Sequence, residues 1–381
     1  MTRRPIALLA ALLALATPSA GLTQTAAALP SDLQVLFWSA ERREQDLRRM
    51  PELLPHARIE PSPTPRPLPE GDVLDIDPAA FMEAQRVAGL IVIEDGRVRL
   101  ERYGLGLAPE DHWDSFSMTK SLTSTLVGAA LADGSIRSVT DLVTDYLPEL
   151  AGGAYDGVQI DHVLTMTSGA RWNEDYVDPA SDVARFYLTP PPADMDATVA
   201  YLRALPREHP PGERWNYNTG ETNLIGVLVA RATGRPLADY LKEKVWDPAG
   251  MEAPAHWMLD AQGKEAGGCC VSATLRDWGR VGLMALDRGT VPGGQIADRR
   301  WFERSTAQRI DFPASDRGYG AQWWTRGEGA QFEASGIFGQ MIHVDPERKL
   351  VVVFLSAWPS ATSRERSDDR LAFLNQLKAA L

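Results

Sequence analysis

Trp113-Asp114-Ser115-Phe116-Ser117-Met118-Thr119-Lys120-Ser121-Leu122-Thr123-Ser124 is the stretch on which the reading of this chain turns. Lysine and arginine together number 39, yet Lys120 is the first lysine in the chain and the next is Lys242. Most other cationic positions go to arginine, which stays protonated. A lysine can lose its proton when desolvated and then act as a base. Ser-x-x-Lys at a helix start is the arrangement in which a lysine activates a serine nucleophile. Three residues make about one helical turn, so the Lys120 amine returns to the face that carries the Ser117 hydroxyl. A helix N-terminus also aims backbone N–H groups and its positive dipole end at that hydroxyl. A helix cap beside a surface lysine is the plain alternative. Leu122, Leu126 and Val127 speak against it, because they mark a helix that is apolar nearly all round and hence buried.

Working outward, residues 76–88 read as a helix, and residues 89–103 as two strands joined at Asp95-Gly96, a strong hairpin signal. Helix is expected again over 120–132. Residues 140–260 are mostly helix and loop, and 272–310 are helical. Strand character returns at 319–325, 331–333, 340–344 and 350–357, and 371–381 closes as a helix. The expected fold class is α/β: an antiparallel sheet built from both chain ends and flanked by helices, with a mainly helical domain inserted at about 140–260. A cleft between the two parts is the natural place for a site.

The start of the chain has a different character. Arg3-Arg4 precede an Ala/Leu-rich run from Pro5 to Ala16, and small residues follow. This predicts a signal peptide within residues 1–28, cleaved between Ala20 and Ala28, and hence a periplasmic or secreted protein without a stable membrane anchor. Residues 29–72 form an N-terminal extension: an amphipathic stretch from Leu33 to Leu54 and the stiff connector Pro61-Ser-Pro-Thr-Pro-Arg-Pro-Leu-Pro69. Packing against the main domain, residues 73–381, is the expectation for it. A formal net charge of −12 argues against nucleic acid or anionic lipid as a partner. Cys269 and Cys270 are the two cysteines. Adjacent cysteines rarely pair, so they are expected as small buried apolar residues after Gly267-Gly268. The six histidines show no ligand spacing, and no metal is expected.

Two further elements complete a possible acyl-transfer site. Pro211-Gly212 leads into Trp215-Asn216-Tyr217-Asn218-Thr219, ahead of an apolar helix. Tyr217 at that helix start could carry a proton to a leaving group. Ala334-Ser335-Gly336-Ile337-Phe338-Gly339-Gln340 lies between two strand-like runs. Its glycines allow close backbone approach, and the Ile337 N–H could join that of Ser117 as an oxyanion hole. Taken singly, Tyr217 is equally a loop tyrosine and the glycine-rich stretch a hairpin turn.

In combination and order, these motifs resemble the serine hydrolases of the class C β-lactamase and penicillin-binding fold. Supporting stretches are Asp161-His-Val-Leu-Thr-Met-Thr-Ser168-Gly169, Ala232-Thr-Gly234-Arg-Pro-Leu-Ala-Asp-Tyr-Leu241 and Asp247-Pro-Ala-Gly-Met251. The resemblance runs over roughly residues 75–381. It implies a covalent acyl-enzyme without cofactor, with Ser117 as nucleophile, Lys120 as base, Tyr217 as proton shuttle, and the Ser117 and Ile337 N–H groups as oxyanion hole. Within the family, Trp172-Asn-Glu-Asp-Tyr176-x-Asp178-Pro-x-Ser-Asp182 and Gly336-Ile-x-Gly-Gln340 look like the 6-aminohexanoate-dimer hydrolases and related carboxylesterases. That likeness implies Tyr176 touching a leaving nitrogen, Asp182 at the substrate entrance, and Gly336 and Phe338 beside the substrate.

Three departures bear on specificity. The β-lactamases carry Lys-Thr-Gly where this chain reads Ala334-Ser335-Gly336, so a substrate carboxylate loses its usual cation. Phe338 stands at the position that the resemblance to the 6-aminohexanoate-dimer hydrolases associates with a histidine, which speaks against a specific amide activity. Thr219 replaces an asparagine in the middle motif. The expected activity is hydrolysis of small esters or amides. A β-lactamase or D-amino-acid peptidase is the alternative within enzymes, and a catalytically inactive binding or sensor protein the alternative outside them. The sequence leaves the oligomeric state open.

Overall fold

The computed structural model describes residues 34–327 and 329–381. The expected signal peptide lies outside the described residues. Among those that are described, no helix is long and apolar enough to cross a membrane.

Eight antiparallel strands form the main sheet, in the spatial order Arg97–Tyr103, Val87–Glu94, Leu350–Ser356, Gln340–Asp345, Gln331–Gly336, Trp324–Arg326, Arg317–Tyr319 and Ile310–Asp311. The N-terminal hairpin therefore lies directly against the last strand, as expected for a sheet made by both chain ends. Asp95 and Gly96 both take positive φ, the requirement of a tight two-residue hairpin turn. Both central strands are buried on two faces, which is why they read as unbroken apolar runs rather than alternating ones. Leu90, Val92, Val352 and Phe354 face Phe373, Leu374 and Leu377 of the closing helix Arg364–Ala380. Ile91, Ile93, Val351 and Val353 belong to the larger core on the other face. There the helix Leu275–Leu286 lies so close that a Cβ on Gly282 would meet Val351 Cγ1 at 2.3 Å.

Several boundaries differ from the sequence reading. The helix expected at 76–88 is Ala79–Gln85, because Arg86 takes a left-handed φ of 50° and turns the chain into the strand at Val87. Residues 319–325 are two strands, not one. Between them Gln322 has φ 66°, and a Cβ on Gly320 would meet the Ser305 carbonyl at 2.2 Å, so the chain bends there. Within 272–310 a small hairpin, Thr290–Val291 with Gly294–Gln295, separates two helices. The closing helix begins at Arg364, earlier than expected, because the Ser363 hydroxyl caps it by accepting from Arg366 N.

A second sheet of four strands, in the order His56–Ile59, Ala255–Met258, Val271–Ala273 and Trp113–Asp114, joins the extension to the main body. Its last strand runs straight into the Ser117 turn. Arg43, buried, fastens the extension by donating to the carbonyls of Trp38 and Pro359. The chain between Trp113–Asp114 and Ala255–Met258 is helix and loop, with Thr219–Thr233 packed on the buried helix Thr119–Ala132.

Candidate active site

Ser117 occupies a single 3-10 turn, Phe116–Met118, at the head of the helix Thr119–Ala132. Phe116 adopts φ 46°, an unfavourable value for an aromatic residue. Neighbouring bonds hold it there. Phe116 N donates to Asp114 Oδ1 (2.9 Å), Cys270 N to the Phe116 carbonyl (3.2 Å), and Ser115 Oγ pairs with Thr119 Oγ1 (2.8 Å). The effect is a sharp strand-to-helix bend that presents the serine. Burial pushes the Asp114 carboxyl up to about 7, and its bonds to Phe116 N and the Ser272 hydroxyl hold it back.

Lys120 is 2% exposed. Its Nζ lies 3.2 Å from Ser117 Oγ, 3.1 Å from Thr219 Oγ1 and 2.6 Å from the Gly268 carbonyl. None of these acceptors is charged. Desolvation accordingly brings the amine down to about 8, against the pull of the Glu174 carboxylate. The third acceptor depends on glycine. A Cβ on Gly268 would meet the Thr219 carbonyl at 2.7 Å and Asn223 Nδ2 at 2.8 Å, so a side chain there would push the carbonyl off Lys120.

Tyr217 lies just ahead of Asn218, which caps the helix Thr219–Thr233 by accepting from Glu221 N (3.0 Å). Its ring centre is 5.5 Å from Lys120 Nζ, and it stacks on Trp324 at 5.6 Å. Burial, then Glu174, raise the phenol well above its ordinary value, while its hydrogen bond with the Ser117 side chain and the Arg317 charge lower it. The phenol therefore holds its proton at neutral pH.

The strand Gln331–Gly336 brings Ile337 to the serine. A Cβ on Gly336 would meet the Ser115 carbonyl at 2.3 Å, so the approach requires glycine. Gln340 locks the turn that follows: its Nε2 donates to the carbonyls of Ile337 (3.2 Å) and Phe338 (3.2 Å), and its Oε1 accepts from Trp113 Nε1 (3.1 Å). Ser117, Ile337, Tyr176 and Thr219 line one pocket.

The other residues singled out in the sequence fall differently. Tyr176 is at the pocket, with its hydroxyl donated to Glu174 Oε1 (2.9 Å). Asp182 lies outside the lining; its oxygens accept from Asn173 N (2.8 Å) and the Tyr201 hydroxyl (2.8 Å), so its carboxylate braces a loop. Phe338 also lies outside. Its ring is buried, edge-on to Phe116 at 5.2 Å and 4.2 Å beneath the Arg43 guanidinium, which makes it a packing residue behind the serine turn. Cys269 and Cys270 are joined as a disulfide rather than free, and both border the pocket.

Glu174 was not singled out by the sequence reading. It accepts from Thr219 N (3.0 Å), the Thr219 hydroxyl, Trp172 Nε1 and Tyr176 Oη. Through the Thr219 hydroxyl it is one link removed from Lys120. Its place inside Trp172-Asn-Glu174-Asp-Tyr176 was the available signal. Among the described residues no group of His, Cys, Asp or Glu is arranged to hold a metal.

Residues 79–376 match the family described as Beta-lactamase. The chain belongs to that family. It is 33% identical over 337 residues to the 6-aminohexanoate-dimer hydrolase of Paenarthrobacter ureafaciens, covering 83% of this chain and 86% of that one. It is 29% identical over 180 residues to Esterase EstB of Burkholderia gladioli, covering 44% and 42%. Among solved structures, a Bacillus anthracis protein provisionally named 6-aminohexanoate-dimer hydrolase superposes with a TM-score of 0.77 at 21% identity, over 87% of this chain and 92% of that one. The family is a hydrolase family of the beta-lactamase fold, and this chain has amidase and esterase homologues in it.

Proposed function

We propose that the protein hydrolyses small esters or amides through an acyl-enzyme on Ser117. The observation that carries this is the buried Lys120 amine, 3.2 Å from Ser117 Oγ, which desolvation brings down to about 8. The neutral amine takes the hydroxyl proton as Ser117 Oγ bonds to the carbonyl carbon. The Ser117 and Ile337 N–H groups receive the developing oxyanion. Tyr217, protonated and in contact with Ser117, passes its proton to the leaving oxygen or nitrogen and regains one through Lys120. Water then releases the acyl group by the reverse route. Ala334 supports esters and simple amides over β-lactams or D-peptides, whose carboxylate would lack a cation on that strand. The Ala/Leu-rich run at Pro5 to Ala16 supports an exported enzyme, periplasmic or secreted.

The test is p-nitrophenyl butyrate turnover together with intact-mass spectrometry after fluorophosphonate treatment, on wild type and Ser117→Ala. Turnover and a single adduct in wild type alone are expected. A wild type that neither hydrolyses nor labels would leave Ser117 unactivated and make the chain a binding or sensor protein.

A further inference from the structure

We infer that residues 34–54 of the N-terminal extension form a wall of the acyl pocket, and that this pocket selects an uncharged, apolar acyl chain. The inference rests on the acyl-enzyme reading above and names its substrate class.

The pocket at Ser117 has a volume of about 100 Å³. Leu36, Phe37 and Met50 from the extension line it together with Val183, Leu188 and Met258 from the main body. Its hydroxyls are already engaged, which leaves the uncharged Gln34 as its remaining polar side chain. The Tyr176 hydroxyl is on Glu174, the Tyr187 hydroxyl is on Asn223 (3.0 Å from its Nδ2), and the Thr219 hydroxyl lies between Lys120 and Glu174. A charged group entering would be desolvated with no countercharge and only the Gln34 side chain to meet it, which costs more than apolar contact returns. Asp182, the carboxylate best placed in sequence to meet an amine-tipped chain, is spent on Asn173 and Tyr201.

Direction follows from the tetrahedral carbon. Its oxyanion faces Ile337 and its leaving atom faces Tyr217. Tyr217 is not part of this lining, and its own flank is closed by Trp215 and Trp324. The remaining substituent, the acyl chain, is the one that enters. An apolar cavity of about 150 Å³ accommodates the six carbons of benzene, so the volume here suits about four carbons beyond the carbonyl, an acyl group of about five.

The extension is fixed rather than laid on. Its strand His56–Ile59 pairs with Ala255–Met258, and Arg43 ties its first helix to Pro359 over the Phe338 ring. Phe338 follows the oxyanion residue directly, so the wall and the reaction centre share one support. Phe37 remains 42% exposed at the rim, a large apolar side chain left for a ligand to cover.

The experiment measures kcat/KM for p-nitrophenyl esters from acetate to decanoate, and for the 6-(trimethylammonio)hexanoate ester, with wild type, a Leu36→Ala/Phe37→Ala double variant and Leu36→Trp. Melting curves and fluorophosphonate labelling check that each variant is folded and reactive. Wild type should gain about fourfold per methylene up to about five carbons and then level off. The cation-tipped ester should run at least tenfold below hexanoate. The double variant should lower the hexanoate-to-acetate ratio at least tenfold, and Leu36→Trp should shift the optimum to shorter chains. A flat chain-length profile, equal turnover of the cation-tipped ester, or an unchanged ratio in both variants would overturn the inference while leaving the acyl-enzyme reading standing. Neither acetate turnover nor labelling in wild type would overturn both together.

Discussion

Glu174→Gln removes one charge next to Lys120 and keeps the side chain's size. Lys120 Nζ reaches Thr219 Oγ1 at 3.1 Å, and that hydroxyl donates to Glu174. Two such links put the ammonium and the carboxylate about 5 Å apart, and at an effective dielectric of about 20–40 their attraction is about 1.5–3 kcal/mol. That equals about one to two pH units. The sign follows from the carboxylate favouring the charged amine: without it, Lys120 loses its proton more readily. Wild-type kcat/KM for p-nitrophenyl butyrate should rise with pH through a midpoint near the lysine value of about 8. In Glu174→Gln that rise should move to about pH 6–7. The plateau should fall at the same time, because each Glu174 oxygen accepts from two donors and a glutamine must turn its NH₂ toward one of those pairs. Background-corrected rates from pH 5 to 9, paralleled by rates of fluorophosphonate labelling, give the measurement. A midpoint that stays at 8 or moves upward would refute both the coupling and the role of Lys120 as base.

Three other changes probe separate parts of the argument. Gly336→Ala forces a Cβ to within 2.3 Å of the Ser115 carbonyl unless the strand retreats and takes the Ile337 N–H with it; kcat should fall about 100-fold with a smaller change in KM, and an undiminished kcat would remove Ile337 from the oxyanion hole. Glu221 is buried, and burial pushes its carboxyl up to about 8, so its folded-state penalty grows as pH rises from about 4.5 through 8. Glu221→Gln should therefore gain about 2–4 kcal/mol on wild type between pH 5 and pH 9 in urea unfolding, and a pH-independent difference would contradict the assignment. Arg43→Ala removes both carbonyl contacts of the guanidinium; a loss of about 2–3 kcal/mol and earlier proteolysis within residues 34–54 are expected, against unaltered proteolysis if the extension is held otherwise.

How far the sequence could be read depended on whether a residue's meaning is local. Asp95-Gly96 dictates its hairpin through φ alone, and Lys120 stands out because the chain otherwise spends arginine. Doubly buried strands were legible as apolar runs. The break within residues 319–325 was not, because aromatic and glycine-rich residues continue across it and only the approach to Ser305 makes the bend. Glu174 is one of 51 acidic residues, and what distinguishes it is a convergence of Trp172, Tyr176 and Thr219 that no spacing announces. Asp182 and Phe338 entered through resemblance, and in this chain neighbours that the resemblance does not specify have claimed them. The part of the extension in the pocket was hidden for the same reason: its apolar residues look like ordinary packing until the fold brings them to the serine.

The pairing of Val87–Glu94 with Leu350–Ser356, and of His56–Ile59 with Ala255–Met258, has a consequence for the order of events as the chain folds. Each contact joins segments separated by a large part of the sequence, so each must await the closure of a long loop, the slow kind of step. The helix bearing Ser117 and Lys120 can wind early, but Ile337 and Gly268 come from segments made much later. A nascent or truncated chain would therefore hold its serine and lysine on a bare turn and helix, without the Gly268 carbonyl that accepts from the amine or the Ile337 N–H proposed to receive the oxyanion. On the mechanism proposed above, reactivity toward esters would be a property of the finished molecule alone, and its appearance during refolding would time the last loop to close.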